Sequence, residues 1–266
     1  MMNITAILYA VAVLGGLGVL FGLILTFADK NFAVPVDERV AKVREAVAGA
    51  NCGACGYPGC DGYAEAVVAG NAPITACAPG GKQCVETLAE IMGQKADDIA
   101  PVVARLLCQG ESGVVNHHYD YGGLTSCYLA SQMAGGPTAC AWGCVGLGDC
   151  VKACQFGAMS IENGIVVIDE EKCTACGMCV KECPRTLIKL LPKSAKVTVR
   201  CLNAASGRDA RTACSKACIG CKRCEKACSF DAVHVDNNCA VIDPEKCTLC
   251  GECAKVCPTG SIVQQS

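Results

Sequence analysis

The chain has 266 residues, 26 of them cysteine, and a formal net charge of −2. That balance excludes a globally basic nucleic-acid-binding protein, and no nucleic-acid partner is expected. The thiol density would suit a disulfide scaffold, but repeated runs of cysteines three positions apart do not supply the Cα separation and Cβ direction that bridges require.

Ile4 to Phe27, "ITAILYAVAVLGGLGVLFGLILTF", carries no charge. At 1.5 Å per residue it makes a helix of roughly 36 Å, long enough to cross a bilayer. It lacks a basic n-region, exceeds the length of a signal h-region and is followed by no A-x-A site, so a retained anchor over 1–30 is expected. Gly18 and Gly22, with Ala12 and Gly16, give the small-residue spacing that seats a neighbouring helix. Lys30, Arg39, Lys42 and Arg44 follow the span, and no basic side chain precedes it. The positive-inside rule then places the rest of the chain in the cytoplasm, which is also where reduced thiols persist. The expectation is a single-pass protein of the cell membrane with its cysteine-rich part on the cytoplasmic side.

Val36, Val40, Val43 and Val47 share one face of a helix over 36–50. Cys52, Cys55, Cys60 and Cys77 follow as C-x2-C-x4-C-x16-C, with glycines that permit tight turns around a bulky group. Zinc and an iron–sulfur cluster both suit this spacing; the loops downstream favour iron–sulfur, giving a small helical domain with four cysteine ligands over 31–100. A connecting region over 101–139 is expected to hold short helices, a strand at "VVARLLC" and a polar turn at "NHHYDY".

Residues 154–184 match 228–258 without a gap at an offset of 74. Such self-similarity marks a repeated structural unit. "MSI-ENG-IVVI" and "VHV-DNN-CAVI" read as β-hairpins. Each copy ends on C-x2-C-x2-C-x3-C-P ("CTACGMCVKECP", "CTLCGECAKVCP"). Structural zinc sites draw ligands in pairs from separated knuckles. Three thiols within one seven-residue loop, and a fourth before proline, instead hold a [4Fe–4S] cluster and lend the last cysteine to a second. This is the layout of a two-cluster bacterial ferredoxin, expected here twice, over 140–192 and 214–266, with a linker at 193–213.

Carrying over the ferredoxin exchange of fourth ligands gives Cys173, Cys176 and Cys179 with Cys154, and Cys247, Cys250 and Cys253 with Cys228. It also gives Cys218, Cys221 and Cys224 with Cys257. In the first copy Leu147 stands where Cys221 does. Cys140 is the expected substitute there, joining Cys144, Cys150 and Cys183. Gln155 and Ser229 replace the usual proline after Cys154 and Cys228. Cys84 and Cys239 are expected as small buried hydrophobes. Cys108, Cys127, Cys201 and Cys214 either assemble a sixth site or are four buried thiols.

The span, the Cys52–Cys77 motif ("CGACGYPGCDGYAEA", "CAPGG") and the loops, "GCVGLGDCVKAC" among them, together resemble the B subunit of the Rnf electron-transport complex. The similarity is to its longer, clostridial-type form with four ferredoxin loops, and it covers essentially the whole chain. It implies an α+β protein with one transmembrane helix, a small helical Fe–S domain and two tandem ferredoxin modules. Five [4Fe–4S] clusters are implied, or six. The implied partners are the other subunits of the membrane complex and soluble reduced ferredoxin, in a ferredoxin:NAD+ oxidoreductase that moves sodium or protons. No nucleotide or flavin motif is found, so the expectation is an electron relay rather than the catalytic subunit. Residues 181–226 hold 12 Lys and Arg against 3 Asp and Glu. Arg185, Lys189, Lys193 and Lys196 are therefore candidates for docking an acidic ferredoxin; local compensation of cluster charge is the competing account. Two other readings are weighed: the electron-transfer subunit of a membrane hydrogenase or formate dehydrogenase, which lacks the Cys52–Cys77 motif beside a span, and a zinc-dependent interaction scaffold.

Overall fold

The computed structural model describes residues 4–32, 37–96 and 100–265. Helix α1 (Ile4–Phe32) runs for 29 residues, the length of the uncharged stretch and one further turn. Within it, Val11–Ala28 is long and apolar enough to cross a membrane, and none of it is buried against the rest of the chain. Leu14, Phe21 and Leu25 stand exposed, as a lipid-facing helix requires.

A small helical unit follows: α2 (Glu38–Ala46), α3 (Gly59–Val68) and α4 (Gly81–Met92). Asp37 caps α2 by accepting from the Arg39 amide. Val43 and Val47 are buried as the stripe required, against Tyr63, Val67, Val85 and Leu88; Val36 lies outside the described residues. Helix α4 stops at Gly93, which takes φ 66°, the left-handed cap that glycine adopts without a Cβ penalty.

The remainder is built twice. The first copy contains β1 (Val102–Leu106), α5 (Cys127–Gln132), α6 (Asp149–Lys152), the hairpin β2 (Met159–Glu162) and β3 (Ile165–Ile168), α7 (Met178–Glu182) and β4 (Ile188–Pro192). The second contains β5 (Val197–Val199), α8 (Gly207–Ala213), α9 (Arg223–Ala227), the hairpin β6 (Val233–Asp236) and β7 (Cys239–Ile242), α10 (Glu252–Lys255) and β8 (Ile262–Gln264). Both hairpins are antiparallel, and their registers coincide at the 74-residue offset, Met159↔Ile168 matching Val233↔Ile242.

The two outer strand pairs give each copy a second sheet. β1 pairs antiparallel with β4, Leu106 opposite Ile188. β5 pairs in the same way with β8, Val199 opposite Ile262. β1 is the strand expected at "VVARLLC". It and β5 lie in the stretches read from sequence as connecting region and linker, and each completes a sheet of the copy that follows it.

The copies share a core. Val115 and Cys140 of the first pack with Val197, Cys201, Ala210 and Cys214 of the second. A β-bridge joins Val115 to Cys214, and Gln109 Nε2 donates to the Gly260 carbonyl at 3.0 Å. In the first copy, Arg105 is 5% exposed and pairs with Glu170 at 3.2 Å, while also donating to the carbonyls of Ala195 and Lys193.

Candidate iron–sulfur sites

The cysteine loops wrap tightly because their backbones enter the left-handed region at matching places. Ala175 and Leu249 take φ 56° and 61°, and Gly177 and Gly251 take 79° and 75°. In the upstream loops Gly146 and Gly220 take 79° and 63°, and Gly148 and Lys222 take 79° and 59°. Leu147 therefore occupies the position of Cys221 without changing the path of the loop.

Among the described residues, three cavities are each lined by four cysteines. One is bounded by Cys154, Cys173, Cys176 and Cys179 with Phe156 and Ile168, and another by Cys218, Cys221, Cys224 and Cys257. Both groupings are those expected. Cys253 has Cys247, Cys250 and Cys228 as its electrostatic neighbours, the third expected set.

The remaining cavity departs from expectation. Its thiols are Cys127, Cys144, Cys150 and Cys183, whereas Cys140 was expected with the last three. Cys127 opens α5, which is tied to the start of α6: Ser126 Oγ and the Tyr128 amide both donate to Asp149 Oδ2, at 3.0 and 3.2 Å. Lys152 Nζ adds a bond to the Thr125 carbonyl. These contacts carry Cys127 to Cys150. Cys140 instead neighbours Cys108, Cys201 and Cys214.

In the N-terminal unit the Cys60 amide donates to Asn51 Oδ1 at 2.8 Å, folding the Cys52–Cys55 loop onto the start of α3. Tyr63 faces Cys77, Cys84 and Cys55, and its hydroxyl donates to the Pro73 carbonyl. Cys84 is buried, as expected of a small hydrophobe, and its thiol beside Cys77 draws the Cys77 pKa down. Cys239 is likewise buried, and its Sγ donates to the Cys201 carbonyl at 3.2 Å; its thiol, beside Cys201 and Cys218, draws the pKa of both down.

The other shifted thiols mostly move the opposite way. Burial pushes Cys140, Cys144, Cys179 and Cys224 up to about 11 and Cys150 to about 12. Bare thiolates are disfavoured in such surroundings, so sets of four need a cationic centre to deprotonate them, as metal ligation supplies. Among the described residues no three His, Cys, Asp or Glu side chains converge closely enough for one metal ion. Thiols standing around a cavity suit a group larger than one ion, and an iron–sulfur cube fits that donor set.

Backbone N–H groups aim at the sulfurs, as expected around anionic clusters. Ala104 donates to Cys173 Sγ, Leu187 to Cys183 Sγ and Ala240 to Cys218 Sγ, each at 3.4 Å.

Arg185, expected on a docking surface, is turned inward. Its guanidinium donates to the carbonyls of Cys140 and Gly143, to the Gly135 carbonyl and to Thr138 Oγ1. Burial lowers its pKa, and Cys140, Cys144, Cys108 and Cys127 surround it. It compensates charge locally. Lys193 pairs with Glu171 at 3.0 Å, and Lys189 is exposed on β4.

Family models give the same division of the chain. An Fe-S cluster model matches residues 48–79, and models for a 4Fe-4S binding domain match 166–188, 240–263 and 215–231. The chain is 45% identical to the B subunit of the Na(+)-translocating ferredoxin:NAD(+) oxidoreductase complex of Acetobacterium woodii, over 97% of this chain and 78% of the relative. It is 38% identical to the B subunit of the ion-translocating oxidoreductase complex of Methanosarcina acetivorans, over 97% and 98%. It is 40% identical to the B subunit of the proton-translocating ferredoxin:NAD(+) oxidoreductase complex of Clostridium ljungdahlii, over 92% and 88%.

Proposed function

Because the chain belongs to the B-subunit family of ion-translocating (Rnf) oxidoreductase complexes, we infer that its own part is to conduct electrons rather than to transform a substrate. It is an electron-transfer subunit of an ion-translocating ferredoxin:NAD+ oxidoreductase, with 4Fe-4S binding domains and a membrane-associated complex around it. This membership displaces the hydrogenase and formate dehydrogenase reading.

The observation that carries the relay reading is the succession of cysteine quartets, most of their thiols buried or half-buried, with peptide N–H groups directed at sulfurs in several of them. Bound [4Fe–4S] clusters supply one-electron carriers whose potentials respond to hydrogen bonding, charge and burial. The chain supplies the thiolates, sets N–H donors against Cys173, Cys183 and Cys218, and closes Ile165, Leu187 and Ile188 over the first module to exclude water. We assign Cys52, Cys55, Cys60 and Cys77 to the N-terminal site and the three expected sets to theirs. Reduced ferredoxin is the donor in this reading, approaching the β4 face that carries Lys189. Helix α1 anchors the chain in this reading, and the basic residues after it support a cytoplasmic side for the clusters.

The test is the content of anaerobically purified, full-length protein in detergent. The relay reading expects iron and acid-labile sulfide in equal amounts and negligible zinc. Zinc with little sulfide would return the chain to an interaction scaffold.

A further inference from the structure

The repeat extends further than the gapless match at the 74-residue offset, and its extension defines another site. Cys140 and Cys214 stand 74 apart, in register with the modules. Cys108 and Cys201 each lie two residues beyond an outer strand, β1 ending at Leu106 and β5 at Val199. Their sulfurs accept matching backbone bonds. Cys108 Sγ accepts from the amides of Gly110 at 3.3 Å and Cys144 at 3.4 Å. Cys201 Sγ accepts from the amides of Asn203 at 3.4 Å and Cys218 at 3.3 Å. Gly110 and Asn203 are equivalent, and so are Cys144 and Cys218.

Cys108, Cys140, Cys201 and Cys214 are all at most 9% exposed. They are drawn together by the Val115–Cys214 bridge and by Asn203. Asn203 is 1% exposed. Its Nδ2 donates to Cys140 Sγ at 3.5 Å, and its Oδ1 accepts from the Ala205 amide. A buried amide spent on a sulfur, with peptide N–H bonds converging on the site from each copy's strand end and first loop, is what an anionic ligand set requires.

The first copy also explains where Cys127 comes from. Cys108 and Cys140 are 32 positions apart, against 13 for Cys201 and Cys214, so the first copy carries 19 more residues there. That insertion contains α5. Its thiol lines the cavity with Cys144, Cys150 and Cys183, replacing the cysteine that Leu147 lacks and leaving Cys140 to pair with its equivalent.

We propose that Cys108, Cys140, Cys201 and Cys214 bind a sixth [4Fe–4S] cluster at the junction of the two modules, each module giving one strand-end cysteine and one loop cysteine, and that Cys127 is the fourth ligand of the Cys144, Cys150 and Cys183 site. The proposal rests on the relay reading and adds its centre. The junction is hydrogen-bonded to the first-module quartet through the Cys144 amide and to the second-module quartet through that of Cys218. The five quartets of this region then run in one series, the Cys173 set and the Cys247 set at the two ends.

Iron and acid-labile sulfide are counted per full-length chain, purified anaerobically in detergent, for wild type and two double variants. Six sites predict about 24 irons and as much sulfide. Cys108→Ala with Cys140→Ala removes two ligands from one quartet and loses about 4 irons; Cys108→Ala with Cys127→Ala touches two quartets and loses about 8. Wild type at about 20 irons overturns the junction cluster while leaving the relay intact. The two double variants exchanging their losses returns Cys140 to the Cys144 set and overturns the grouping. If a variant does not accumulate, the wild-type count still decides whether the sixth cluster exists. Zinc in place of iron and sulfide overturns the relay reading itself.

Discussion

The amide of Cys144 donates to the sulfur of Cys108 at 3.4 Å, which ties the proposed junction quartet to the cavity that Cys144 lines. The equivalent bond from Cys218 to Cys201 does the same in the second copy. Each bond lies within one copy, and the copies meet where Asn203 Nδ2 donates to Cys140 Sγ and Val115 bridges Cys214.

Asn203 sets the junction apart from its neighbours, because a side-chain amide donates to Cys140 Sγ there. Donors to a cluster's sulfurs stabilise its more negative, reduced form. Replacing Asn203 by Leu removes one such bond, worth about 0.5–1.5 kcal/mol, and should lower one midpoint potential by roughly 20–60 mV for a one-electron couple. A redox titration followed by electron paramagnetic resonance reads this, with iron content unchanged.

Cys239 aligns with Ile165 of the first copy, yet its Sγ donates to the Cys201 carbonyl at 3.2 Å. Cys239→Val restores an aliphatic without removing a ligand. The expected result is wild-type iron and sulfide, because the thiol it removes donates to a carbonyl and holds no cluster. Loss of about 4 irons would make Cys239 a ligand instead.

Arg185 and Lys189 separate compensation from docking. Arg185→Gln unpins the Gly135, Cys140 and Gly143 carbonyls and should cost cluster content. Lys189→Glu should leave iron unchanged and slow reduction by ferredoxin by roughly fivefold at low salt, about 1 kcal/mol, with the difference fading as salt screens it. Equal reduction rates across a salt series would remove Lys189 from the docking surface.

The loops at 173–183 and 247–257 were legible in the sequence because each gathers its thiols within a few residues of one turn, so spacing alone reports the site. Cys127 was not. It lies 17 positions before Cys144, and the bonds from Ser126 and Tyr128 to Asp149 bring it in, whereas Cys140, nearer in sequence, does not line that cavity. β5 was also hidden: a three-residue strand carries little periodicity, and its partner β8 lies some sixty residues downstream. The discernible signal was the 74-residue spacing of Cys140 and Cys214, outside the gapless match. Arg185 misleads for a general reason, that charge counts do not tell an outward cation from one folded back on carbonyls.

Arg105 is the buried cation on which the β1–β4 sheet rests. Arg105→Met leaves Glu170 and the Lys193 and Ala195 carbonyls without their donor. Breaking a buried pair costs about 3–5 kcal/mol, and the lower end applies here because Glu170 keeps some contact with water. Thermal loss of visible cluster absorbance should begin at lower temperature than in wild type, while Glu171→Gln, at an exposed pair, should shift it little.

The most direct test of electron relay is to mix anaerobic full-length chain in detergent with reduced ferredoxin and follow the visible absorbance of the clusters. The account predicts rapid bleaching, slowed by salt, with no reoxidation when NAD+ is added in the absence of the other subunits. Absorbance that ferredoxin leaves unchanged, or that NADH alone bleaches as fast, would contradict it.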